Sequence, residues 1–303
     1  MSLATRLLNL VATVASFEFK PKLNEDVVRA ALAIFPKEVL PMKGDTPEKL
    51  AARIAAANLF DELDPLKGGN GPKRVRLNET TYSQTRRINY STVVEERLDE
   101  NGELRVRKMY AYGKPNTRIR TDLHATPMPW EVFELGVQCF LAVRHVLSEV
   151  CASSPPNHCQ VLGYYALFKS KTGRHKDDHT KDDLHDVLLK RATVDAAVMR
   201  SVGAMVPGSD VLIYCAGPLP VLFSWCFTNG ERTGHFVERE LHETHPYMQL
   251  DLYDGSLFVF KAVDDLYFYH EVDVHRTFAK ITDYRFAFVF RWLGTEQERE
   301  FPA

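Results

Sequence analysis

Several features are missing from this sequence. Its 303 residues contain no run of 18 apolar residues, so no helical membrane span is expected. Its five cysteines (Cys139, Cys151, Cys159, Cys215 and Cys226) form no CxxC pair and no regular framework. They read as reduced core thiols of an intracellular protein, cytoplasmic or nuclear. No internal repeat and no low-complexity tract occurs. The net charge is only −2, which says nothing about partners. What is present is ordinary for a globular chain: 45% hydrophobic and 26% charged residues in 34.6 kDa. That is enough for one large domain with an extension, or for two domains.

The charge is unevenly spread. Between Gly71 and Arg120 twelve basic residues stand against six acidic ones, a local +6. Such a stretch is either a contact surface for a polyanion such as nucleic acid or a solvated basic face. The first seventeen residues hold one arginine and no acid. They faintly match an organellar presequence, but read first as a plain N-terminal helix.

Apolar spacing predicts helices in "NEDVVRAALAIF", which opens with an Asn cap, and in "TPEKLAARIAAANLFDEL", which opens with Thr and has Pro at the first helical position. The breakers in "DPLKGGNGPK" (64–73) set a boundary. It divides the chain into a helical N-terminal extension, 1–70, and a second unit, 71–303. Residues 74–120 alternate as strands, with a hairpin turn at Asn101-Gly102. "EVFELGVQCFLAVRHVLSEV" (131–150) predicts one helix. From Gln160 onward strands dominate, interrupted by a polar segment, 182–201, that scans as a helix. The expected fold class is mainly β with flanking helices (α+β). Within it, short strands and turns suggest a jelly roll or barrel with helices packed outside.

Two stretches carry chemistry. In "DYRFAFVFRW" (283–292), alternation puts Asp283, Arg285, Ala287, Val289 and Arg291 on one strand face and Phe286, Phe288 and Phe290 on the other. The phenylalanines want a core. If the other face is covered too, each arginine needs an anion beside it, supplied either by a side chain of the protein or by a ligand. In "TGRHKDDH", His175 and Asp177 are two apart and face the same way on an extended segment, so both can grip one metal ion. With a third nitrogen ligand they would form the two-His-one-carboxylate triad of non-haem Fe(II) oxygenases. "YFYHEV" offers His270 on an apolar strand as that ligand, and His275 is its rival. A helical His175–His179 zinc pair is the competing reading of the first motif, and an Arg291–Asp283 ion pair the competing reading of the second.

Together these residues resemble the AlkB family of Fe(II)- and 2-oxoglutarate-dependent dioxygenases. "DGSLFVF" with "FYH" is similar to that family's Gly-containing strand and Phe-Tyr-His, and "DYRFAFVFR" to its R-x5-R strand. "KMYAYGK" followed by "TPMPW" resembles the substrate-lid strands. The resemblance spans about 105–293 and implies a double-stranded β-helix (jelly roll). It also implies Fe(II) held by His175, Asp177 and His270, and 2-oxoglutarate and O2 as cosubstrates. Arg285 would bind the distal carboxylate of 2-oxoglutarate, and Arg291 would lie nearer its metal-chelating end. The family's Asn-x-Tyr is replaced by "YYALF", which offers Tyr164, Tyr165 and Phe168, with Tyr165 and Phe168 assigned to the cosubstrate. Met109, Tyr110 and Tyr112 would meet the substrate, together with His179, which stands where repair enzymes often carry an acid. Ala287 replaces a residue that is often polar. The implied reaction is oxidative demethylation of N-methylated nucleobases in DNA or RNA. Hydroxylation of a protein or small molecule, and a non-catalytic binding module, are the alternatives.

Overall fold

The computed structural model describes residues 25–34, 40–56, 74–77, 80–83, 87–102, 104–110, 126–168, 170–175, 205–206, 208–227, 248–262, 268–274, 278–294 and 296–300. Four α-helices occur among them: α1 (Glu25–Ile34), α2 (Pro47–Ala56), α3 (Trp130–Val143) and α4 (Glu149–Ala152). The other elements are mainly antiparallel strands. β1 (Arg74–Leu77) and β2 (Thr80–Ser83) form a small pair, and β4 (Val94–Leu98) and β5 (Leu104–Tyr110) join β15 (Glu296–Glu300) in a three-stranded sheet. Two larger sheets build the core. One contains β3 (Arg87–Thr92), β6 (Thr126–Pro127), β7 (His158–Tyr165), β9 (Val211–Ala216), β12 (Leu257–Phe260) and β14 (Tyr284–Arg291), in the order β12-β9-β14-β7-β3-β6. The other contains β8 (Thr172–His175), β10 (Val221–Phe227), β11 (Met248–Leu252) and β13 (Phe268–Val274), in the order β11-β10-β13-β8.

β14 is paired along both edges, with β7 and β9, and every residue after Tyr284 is buried. That explains its apolar composition, since a strand covered on both faces has few positions left for solvated side chains. Phe286, Phe288 and Phe290 enter one core with Leu135, Cys139 and Phe140 of α3 and with Val27, Ala30 and Ala31 of α1. Ala287 and Val289 enter a second core, shared with Phe223 and Trp225 of the four-stranded sheet. Phe223 meets Phe258 and Phe260 of β12 at ring distances of 5.0 and 5.6 Å, so the two sheets stack face to face. Helices therefore cover one face of the six-stranded sheet, and the four-stranded sheet covers the other.

Local chemistry accounts for most ends and turns. Thr46 caps α2 by accepting from the Lys49 N–H, ahead of Pro47. Gly102, at φ +81°, closes the β4–β5 hairpin through its N–H to the Asp99 carbonyl. Gly255, also at φ +81°, turns β11 into β12.

The helix expected over 131–150 does not run through. α3 ends at Val143, a 3-10 turn covers Arg144–Val146, and Ser148 takes an extended conformation before α4. The cause is tertiary. The Ser148 N–H donates to Asp210 Oδ2, Ser148 Oγ donates to the Gly208 carbonyl, and Lys261 Nζ donates to the Val146 carbonyl. Asp210 is 2% exposed and also receives Lys261 Nζ at 2.9 Å. A buried carboxylate with a cation and backbone donors in reach outweighs one more helical turn.

The two N-terminal helices lie against the sheets. α1 joins the α3 core, and Leu50 and Ile54 of α2 contact Tyr165. The boundary at 64–73, the helix scanned over 182–201 and the first seventeen residues lie outside the described residues. No described helix is long and apolar enough to cross a membrane.

Candidate functional site

Between the two large sheets lies a cavity of about 50 Å³, more room than a single water needs. The even-numbered positions of β7 (Gln160, Leu162, Tyr164) and the odd-numbered ones of β14 (Arg285, Ala287, Val289, Arg291) line one wall. Phe223, His270, Val272 and Thr172 line the facing wall. The alternation expected of "DYRFAFVFR" is thus realised, and both arginines point inward.

Arg285 and Arg291 are 2% and 3% exposed. The described lining contains these two cations and no carboxylate. Buried guanidinium without an anion is a costly arrangement, so the nature of each arginine's partners is informative. Arg291 Nη1 donates to Gln160 Oε1 at 2.9 Å, and Gln160 Nε2 donates in turn to the Tyr90 hydroxyl at 3.1 Å. Asp283, the alternative partner raised by the sequence, sits at the opposite end of β14 and accepts from the Lys280 N–H. Arg285 donates Nη2 to the sulfur of Cys215, while its Nε and Nη1 have no hydrogen-bond partner among the described residues. The Tyr164 ring lies 5.9 Å from the Arg285 guanidinium carbon, and its hydroxyl is bonded to Thr172 Oγ1 at 2.7 Å.

His270 is buried on β13. Its ring stacks on Phe223 at 5.5 Å and lies 4.7 Å from Phe260. The register pairs it with His175, the last residue of β8, beside a break in the regular pairing between His270 and Val272. The site also has a direction. Thr172 and Tyr164 mark the Arg285 end, whereas Phe260 pairs with Val211 at the Arg291 end of β9. His270, held by Phe260, therefore stands toward Arg291. Asp177, His179 and His275 lie outside the described residues, and among the described residues no group of three or more metal-ligating side chains is assembled.

Tyr165, expected at the cosubstrate, faces the other way. It contacts Leu50 and Ile54 of α2, and the pleat of β7 gives the cavity position to Tyr164. Phe168 ends a 3-10 turn after β7. Met109 and Tyr110 are neighbours on β5, and Tyr110 packs against the inter-sheet core. Tyr112 lies outside the described residues. Tyr164, Thr172, Gln160 and Cys215 were missed as site residues. Only the period-2 pattern of β7 and β9, phased against β14, could have picked out Tyr164, Gln160 and Cys215; Thr172, on β8, needed the facing sheet as well.

In the register of the three-stranded sheet, Lys108 on β5 stands opposite Glu95 of β4 and Glu298 of β15, and Arg107 stands opposite Glu96 of β4 and Arg299 of β15. No protein-family model matches the chain, and no curated protein matches it.

Proposed function

We propose that the protein is an AlkB-like Fe(II)- and 2-oxoglutarate-dependent dioxygenase whose strands β7–β14 make a double-stranded β-helix. The orders β12-β9-β14-β7 and β11-β10-β13-β8, with seven of these strands contributing to one shared core and Thr172 of β8 lining its cavity, support that architecture. The observation that carries the functional reading is Arg285: a buried cation with open donors, in a cavity whose described lining offers it no acid. A carboxylate-bearing ligand is the natural complement, because guanidinium–carboxylate pairing is strong and directional.

His175, Asp177 and His270 would hold the iron, which suits this donor set. With 2-oxoglutarate and O2, the bound metal supplies oxidation of a C–H bond, with succinate and CO2 as co-products. The chain's own residues do the rest. Arg285 binds and orients the far carboxylate, and Tyr164 fixes the guanidinium from one side. Phe223 and Phe260 hold the His270 ring and exclude water from it. The free, buried thiols among the described residues suit a reducing compartment.

By resemblance the substrate is an N-methylated nucleobase. The histidine at position 179, where repair enzymes of that family often carry an acid, favours a second reading, hydroxylation of a protein or small molecule.

The test is an anaerobic titration with Fe(II) and 2-oxoglutarate, following the visible charge-transfer band. Wild type should show the band and His175→Ala should lose it. Arg285→Ala should need about 10- to 100-fold more 2-oxoglutarate, the equivalent of the ~1.5–3 kcal/mol of a hydrogen bond to a charged group. No band in the wild type would sink the reading.

A further inference from the structure

We propose that Cys215 is a positioning residue of the anion site: its sulfur holds the Arg285 guanidinium so that the Nε and Nη1 donors remain available to the cavity. This rests on the reading of Arg285 as a carboxylate receptor. Cys215 lies on β9 opposite Ala287 of β14 and two residues from cavity-lining Ile213, so alternation turns it to the inner core. There it accepts from Arg285 Nη2, while Tyr164 flanks the same guanidinium.

The choice of a thiol has a consequence that a carboxylate or an amide would not have. Burial pushes the Cys215 thiol up, although the neighbouring Arg285 pulls it down, so it stays protonated at neutral pH. A neutral thiol is a weak acceptor, which can orient the guanidinium without neutralising it. An aspartate at 215 would itself fill the place of the ligand. Arg291 shows the contrast, since its Nη1 is taken by the Gln160 amide, which is fixed in turn by Tyr90. Pre-orienting one long side chain accounts for about a 3- to 10-fold gain in affinity.

The experiment uses the full chain with 2-oxoglutarate as the probe. Calorimetric dissociation constants are measured in the presence of Mn(II) for wild type, Cys215→Ala, Cys215→Ser and Cys215→Asp, alongside thermal melts. The 15N–1H resonance of Arg285 Nε is recorded without ligand. The expected result is a 3- to 10-fold weakening and a broadened Nε resonance in Cys215→Ala, with both restored in Cys215→Ser. Cys215→Asp should lose more than 100-fold while melting near wild type; should it fail to fold, the alanine and serine variants decide. Wild-type affinity and an unchanged resonance in Cys215→Ala would overturn the proposal. If wild type itself takes up no 2-oxoglutarate, the dioxygenase reading falls, and the Nε resonance alone then decides whether Cys215 positions Arg285.

Discussion

Gly217 occupies the turn between β9 and β10 at φ +121°, beside the start of β14. A Cβ added there would come within 2.6 Å of the Tyr284 carbonyl oxygen and 2.8 Å of Arg285 Cα, both backbone atoms with nowhere to go. Its N–H donates to Asp254 Oδ1 at 2.8 Å, which fixes the turn from the other side. Neither the backbone conformation nor the space suits any residue but glycine. Gly217→Ala should cost about 1–3 kcal/mol of stability, the usual cost of a forced backbone conformation. Because the clash falls on Arg285 itself, it should also weaken the proposed 2-oxoglutarate binding. Denaturant unfolding combined with the calorimetric titration checks both. Lost stability with unchanged affinity would mean that β14 yields without moving its arginine.

The docking of α3 on the six-stranded sheet turns on another glycine, for a different reason. At Gly136 the backbone is helical, and alanine would ordinarily gain about 1 kcal/mol there. The added Cβ, however, would stand 2.8 Å from Phe290 Cε1, inside the core that joins helix and sheet. Overpacking costs about 1–3 kcal/mol, so the sign reverses and Gly136→Ala should lower the unfolding midpoint. A raised midpoint would show that Phe290 can swing aside. The same helix marks the limit of what its sequence reveals. Its apolar stripe and the alternation of β14 were both legible, because each depends only on spacing within one element. The break at Ser148 was not, because it is imposed by Asp210, 62 residues further along the chain. Likewise the choice of Tyr164 over Tyr165, and the meeting of Cys215 with Arg285, depend on how three strands are phased against one another. A residue's type predicts its chemistry; only the inter-strand register decides which chemistry it meets.

Among the described residues, burial leaves four thiols (Cys139, Cys151, Cys159 and Cys215) free and enclosed, none bridged to another. Desolvation raises all four above their ordinary value of 9.0, with Cys151 pushed up to about 12. It also raises the Tyr214 phenol in the helix-side core. In the unfolded chain the thiols ionise near their ordinary value; in the folded chain they resist. Below about pH 9 both states hold the protons and the contribution to stability is complete. As pH rises past that point the unfolded state releases protons that the native state retains, so stability falls until the folded values are reached. Each thiol contributes a slope of up to about 1.4 kcal/mol per pH unit. Four together form a larger alkaline liability than a surface ion pair of ~0–1 kcal/mol can offset. Thermal melts at steps from pH 7 to 10.5 should therefore be level to about pH 8.5 and then drop steeply. Replacing Cys139, which is enclosed between α3 and the helix-side face of the sheet, with alanine should make that drop shallower while lowering the plateau through the lost packing. A melting temperature that stays level to pH 10.5 would mean that the thiols ionise within the fold, and that these two cores are less closed to water than their burial implies.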